Sequence, residues 1–226
     1  EDDEEEENEK PVNPFVFPSS NIDSLEDSVF TDAIDSTFES TIIPSSYGDI
    51  IEPIKYINNF LTVEVTNMES MFSNCINLTS ANISLFDITN VVTMKDMFSN
   101  CTSIKKLDLS KFKPNNLEIT SGMFKNCIKL TSINFKGFRG NKISDLSYMF
   151  FNCIKLTTLD ISSFEMNNAK NMSFMFSGCN KLSSLNLFAE LNSSLINMNS
   201  MFYDCISLTS INLKKYSVIS VVDTEK

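Results

Sequence analysis

Six cysteines are the residues in this chain best suited to chemistry. Cys75, Cys101, Cys127, Cys153, Cys179 and Cys205 follow one another at intervals of 26 residues. A thiolate can serve as nucleophile or metal ligand, and six cysteines in a small secreted protein commonly form three disulfides. The 226-residue chain has no histidine, however. That removes every Cys-His or Ser-His nucleophile pair and every histidine-ligated metal site. Lys, Asp, Glu and Tyr remain as acid–base groups, but no convergent pair stands out. With only 5 glycines there is no Gly-rich loop to cradle a phosphate. No catalytic residue, metal or cofactor is expected.

The cysteines belong to a longer unit. Met-Phe-x-x-Cys-x-x-(Leu/Ile) starts at Met71, Met97, Met123, Met149, Met175 and Met201. An unbroken fixed period is the mark of a solenoid, in which one small unit stacks on copies of itself. Neighbouring rungs of such a stack lie about 4.8 Å apart, so distance alone permits disulfides. Six cysteines at one repeat position nevertheless favour a structural ladder of free thiols, since unoxidised Cys packs as a small hydrophobe.

The elements that position these residues follow from spacing. Counting from each cysteine, apolar residues recur three, six and eight places on, as in Ile104, Leu107, Leu109 and Leu156, Leu159, Ile161. The interval of two is the strand period. Eleven places on stands an aromatic: Phe86, Phe112, Phe138, Phe164 and Tyr216. Upstream, Val91, Met94, Met97 and Cys101 are spaced by three and four, which predicts a helical turn or short helix. Each unit thus reads as helix, tight turn, short strand and loop, and units of equal length place their strands in parallel. The fold class is an α/β solenoid. Between the two strand apolars runs a column of Asn82, Asp108, Asn134, Asp160, Asn186 and Asn212. It reads as a side-chain hydrogen-bond ladder, with a cation- or glycan-contacting strip as the functional alternative.

Four regions are predicted: an acidic, Pro-containing arm over 1–23, a helix and degenerate capping turn over 24–60, six repeats over 61–216, and the start of a further repeat over 217–226. Up to residue 60 there are 16 acidic and 2 basic residues, against 13 and 16 beyond it. The run Glu1 to Glu9 repels itself and should stay unfolded alone. Around 25–39, Leu25, Val29, Phe30, Ala33, Ile34 and Phe38 share a helical face behind a Ser24/Asp27 capping signal. This helix should close the N-terminal end of the stack. No dense Lys/Arg stripe suits nucleic acid, and no apolar run reaches the ~20 residues of a membrane span.

The Met-Phe-x-x-Cys unit feeding Leu-x-x-Leu-x-Leu resembles a leucine-rich repeat. Segments such as 65–75 and 107–112 resemble, more narrowly, the 26-residue repeat of BspA-like bacterial surface proteins, over about residues 61 to 222. The resemblance implies a leucine-rich-repeat-like, right-handed stack with a parallel β-sheet on one side and short helices on the other. It also implies a non-enzymatic, extracellular or cell-surface protein acting in adhesion or in protein or glycan binding. It supplies no catalytic residues.

Function is then sought in what departs from the repeat. Around Met-Phe, polar residues give way to Tyr148, Phe151, Phe174 and Tyr203 in the later units. These should share a helical face and form an exposed partner-binding patch, or lie under the acidic arm. Phe188 occupies an outward strand position, while Glu190 replaces that unit's aromatic. Val221 is in phase for another unit that is not completed, and an open sheet edge invites head-to-tail pairing with copies of the chain in a filament or coat. Sequons stand at Asn77, Asn82, Asn100, Asn171 and Asn192. Asn77 and Asn192 are the better glycosylation candidates, because turns and loops leave room for a glycan.

Overall fold

The computed structural model describes residues 64–84, 86–188, 197–209 and 211. The predicted arm, the helix around 25–39, the capping turn, Asn192 and the incomplete last repeat lie outside them. The described residues form six stacked coils, numbered here by their cysteines from Cys75 (coil 1) to Cys205 (coil 6).

On one side of the stack lie four strands: β1 (Lys106–Asp108), β2 (Ser132–Asn134), β3 (Thr158–Asp160) and β4 (Ser184–Asn186). They pair in parallel at the 26-residue register, β1 with β2 and β3 with β4. The first three end because the Asn/Asp that follows the first strand apolar turns its carbonyl or carboxylate oxygen onto the N–H two residues ahead. Asp108 accepts from Ser110 at 2.8 Å, Asn134 from Lys136 at 3.1 Å and Asp160 from Ser162 at 2.9 Å. Such Asx turns compete with continued strand. The column also bonds across coils, Asn134 to Asp108 and Asn186 to Asp160. It is a hydrogen-bond column, in cross-coil pairs.

The opposite arc corrects the helical expectation. No helix forms among the described residues. Instead Asn67, Thr93, Ile119, Asp145, Asn171 and Asn197 pair in parallel from coil to coil, and each is followed by consecutive tight turns. In coil 1 the N–H groups of Met71, Ser73 and Cys75 bond back three residues, to the carbonyls of Met68, Ser70 and Phe72. The alternate N–H groups of Met68, Ser70, Phe72 and Asn74 bond outward to Thr93, Lys95, Met97 and Ser99 of coil 2 at 2.8 to 2.9 Å. A helix would keep all of these within one segment. Here every second donor ties one coil to the next.

The turns carry a backbone signature. The residue before each Met-Phe (Ser70, Asp96, Gly122, Tyr148, Phe174, Ser200) and the residue before each cysteine (Asn74, Asn100, Asn126, Asn152, Gly178, Asp204) have positive φ between 51° and 77°. A turn with positive φ at its third residue is type II. Asparagine and glycine tolerate that conformation best. The asparagines also link by side chain, Asn100 to Asn74, Asn126 to Asn100 and Asn152 to Asn126 at 2.8 to 3.2 Å.

Between arc and strands lies one core of Met, Phe, Cys, Leu and Ile from every coil. Its spine is a ladder of rings from Phe72 through Phe98, Phe124, Phe150 and Phe176 to Phe202, stacked with centroids 5.1 to 5.8 Å apart.

Candidate interaction face

The six thiols are structural in position. All are free, and the inner ones are buried. Each thiol from Cys101 onward donates to the carbonyl of the spine phenylalanine one coil back, Cys101 to Phe72 at 3.1 Å and so on to Cys205 with Phe176 at 3.0 Å. That carbonyl already accepts the N–H of its own coil's cysteine, so the thiol fills its second lone pair. Desolvation pushes Cys75 and Cys205 up to about 11 and Cys127 to about 12, and Cys101, Cys153 and Cys179 rise further still. The thiolate that nucleophilic or metal chemistry needs is therefore suppressed.

The aromatic residues are arranged differently. Tyr148 and Phe174 occupy the left-handed position before Met-Phe in coils 4 and 5, and both have φ of 56°. Coil-to-coil bonds keep this position in register, so the two rings stack at 4.9 Å and 6°. Phe151, three residues on from Tyr148, meets it edge-on at 5.5 Å. All three are half-buried. The cluster forms because of the turn arc, not the helical face from which it was predicted. Tyr203 is 52% exposed and makes no ring contact with the other three among the described residues.

Phe188 does not belong to this face. Expected to point outward from a strand, it is 1% exposed and part of the core. Its coil has Glu190 where the others carry the core aromatic, and burying Phe188 restores apolar area to the stack. Of the sequons, Asn77 lies exposed in the turn after Cys75, whereas Asn100 is committed to the asparagine ladder on both sides.

Sequence reasoning missed three residues at the edge of the aromatic cluster. Lys125 places its Nζ 5.6 Å from the Tyr148 ring centroid. Asp96 lies over Gly122, where a Cβ would collide with its carboxylate. Burial raises the Asp96 carboxyl, while Lys125 and Lys95 pull it down. The available signal was the column itself: acid, glycine, tyrosine, phenylalanine and serine one coil apart at Asp96, Gly122, Tyr148, Phe174 and Ser200.

The sequence matches the family described as "Mycoplasma protein of unknown function, DUF285", over residues 44–139 and 129–226. The chain belongs to this family. The DUF285 match spans all six coils, in agreement with the resemblance to the BspA-like 26-residue repeat. Among curated proteins none matches the chain. Similar solved structures include a leucine-rich repeat protein of T. pallidum, 19% identical, with a TM-score of 0.38 over 62% of this chain and 69% of that one. A leucine-rich cell surface protein of Faecalibacterium prausnitzii is 19% identical, with a TM-score of 0.33 over 51% of this chain and 34% of its own. A leucine-rich repeat protein of Bacteroides ovatus is 20% identical, with a TM-score of 0.36 over 62% and 38%.

Proposed function

We propose that this DUF285 chain is a non-enzymatic protein of the cell surface or extracellular space whose turn arc binds a protein or glycan in adhesion. The observation that carries this reading is the half-exposed cluster of Tyr148, Phe151 and Phe174 on left-handed turns. A bulky residue in that conformation costs roughly 1 kcal/mol or more, and the other coils put Ser, Asp or Gly there. Two neighbouring aromatics at strained, solvent-reached positions are the arrangement found where backbone strain serves recognition. Aromatics on a rigid support also make strong contact area at little entropic cost.

The test is adhesion of beads coated with the full chain to cultured epithelial cells and to immobilised mucin. Phe151→Ser with Phe174→Ser should reduce attachment at least several-fold while far-UV circular dichroism and melting point stay close to wild type. Attachment unchanged by the pair would sink this reading.

A second reading, a self-assembling structural subunit, is favoured by one observation. Successive coils donate from equivalent N–H groups and accept on equivalent carbonyls. One coil face is thus complementary to the opposite face of another, the requirement for head-to-tail assembly. Electron microscopy of concentrated protein distinguishes filaments from monomers.

A further inference from the structure

We propose that the strand side of coils 2 and 3 is an anion-binding face, and that its occupant is the chain's own acidic segment, Glu1 to Glu9. This face is separate from the aromatic cluster, which lies on the turn arc at the other side of the stack.

The strand side is built from the fourth to the twelfth residue after each cysteine. In coil 2 this stretch carries Lys105, Lys106, Lys111 and Lys113 with one acid, Asp108, and in coil 3 it carries Lys136 and Arg139 with none. The same stretch has no base in coils 1, 4 and 5, where its charges are Asp87, Asp160, Glu165 and Glu190. Among these five coils the positive charge is thus confined to two neighbours. The pairing of β1 with β2 sets Lys106 beside Ser132 and Asp108 beside Asn134, so the bases of both coils share one surface. All five lysines are exposed.

Little on this face neutralises them. Arg139 is already paired with Glu165 at 2.7 Å. Asp108 accepts from Ser110 and Asn134, and its carboxyl is held below the usual range by Ser110 first, then by Asn134 and the Lys111 charge. None of the five lysines makes an ion pair among the described residues. Like charges held on a rigid surface create a positive potential that an anion relieves. Residues 1–9 hold eight acids and no base, which gives the chain its own counter-charge. The strand side of coil 3 lies two rungs from coil 1, about 10 Å, and about three extended residues span that distance. The tether of residues 10–63 makes the contact intramolecular, which favours the chain's own segment over the acids of a second copy.

The test is carbodiimide coupling of the full chain, which joins a carboxylate to a lysine in contact with it, with the products located by mass spectrometry. The Lys95–Glu69 pair, 3.0 Å apart, supplies the reference yield. Glu1 to Glu9 should couple within single chains to the five lysines of coils 2 and 3, severalfold more than to the exposed Lys155, Lys170 and Lys181 of coils 4 and 5. Reversing three charges, Lys106→Glu with Lys111→Glu and Lys136→Glu, should cut coupling at the remaining Lys105 and Lys113 severalfold. The Lys95–Glu69 yield and the far-UV spectrum should stay as in wild type. Salt at about 0.5 M, which shortens the Debye length to a few ångströms, should reduce the same coupling in the unmutated chain. Coupling spread evenly over all exposed lysines, absent from coils 2 and 3, or found only between chains carrying different isotopes overturns the proposal. So does coupling at Lys105 and Lys113 that neither the substitutions nor salt reduce.

Discussion

At the scale of single residues the cysteines decide how the fold answers to pH. Each thiol from Cys101 onward is a donor to a backbone carbonyl, and burial lifts Cys75 and Cys205 from 9.0 to about 11 and Cys127 to about 12. A folded-state pKa above the unfolded value means that folding favours the protonated thiol. The contribution is complete below about pH 9, the unfolded value, and is lost as pH climbs through the folded values. Each thiol still protonated in the fold then costs about 1.4 kcal/mol per pH unit. Stability should therefore fall steeply between about pH 9 and 12. Unfolding there should release thiolates cooperatively, seen as ultraviolet absorbance rising with loss of far-UV ellipticity. Cys127→Ala should have a shallower pH slope than wild type by about one proton, although it starts less stable because a buried side chain has been removed. A slope unchanged by this substitution would show that the Cys127 thiol does not carry the effect.

Among the elements, the strand side was legible and the arc was not. Alternation at Leu107 and Leu109, or Leu159 and Ile161, has one structural meaning, and the Asn/Asp between them terminates the strand in an Asx turn. Intervals of three and four at Val91, Met94, Met97 and Cys101 have two, since consecutive three-residue turns repeat almost as a helix does. The discriminating residues were Asn74, Asn100, Asn126 and Asn152, each before a cysteine and each at positive φ. Asparagine is a weak helix former that accepts the left-handed region, and four in register argue for turns. Of the candidate face, Tyr148, Phe151 and Phe174 were found because they break the repeat. Phe188 was misplaced because the loss of its unit's core aromatic at Glu190 was not followed through to a refilled core. The strands also hold one irregularity. Leu109 bonds to Asn134 and Ile161 to Asn186, yet no equivalent bond from Phe135 to Asp160 forms among the described residues. Phe135 stands where other coils have Ile or Leu, and it meets Phe124, Phe138, Phe150 and Phe164 edge-on at 5.1 to 6.2 Å. Ile83 of coil 1 makes no such bond to Asp108 either, so a wedge by the larger ring between coils 3 and 4 is a prediction to be tested. Phe135→Leu should let β2 and β3 close, so that the amide at 135 exchanges more slowly with deuterium, at a cost of about 1 kcal/mol in lost core volume. Exchange at 135 as fast as in wild type would mean that the ring is not the wedge.

For the whole molecule, stability is distributed along one axis, because each coil packs only on its neighbours. The ring spine makes this measurable. Phe124 is fully buried, stacks on both Phe98 and Phe150, and meets Phe135 edge-on. Phe202 is partly exposed and stacks on Phe176 alone among the described residues. Truncation of a fully buried Phe to Ala costs about 3–5 kcal/mol, and each ring pair carries roughly 0.5–1.5 kcal/mol beyond its buried area. Phe124→Ala should therefore cost at least twice as much as Phe202→Ala. The position of the loss matters as much as its size. A weakened interior coil breaks the nearest-neighbour coupling between coils 1–2 and coils 4–6, whereas a weakened terminal coil only frays. Repeat arrays whose coupling fails lose two-state behaviour. Phe124→Ala should accordingly unfold in two denaturant steps, with hydrogen exchange rising first in coils 2 to 4, and Phe202→Ala in one step with fast exchange confined to coil 6. A single sharp transition for Phe124→Ala, with protection lost everywhere at once, would refute one-dimensional coupling and require contacts between distant coils beyond those among the described residues.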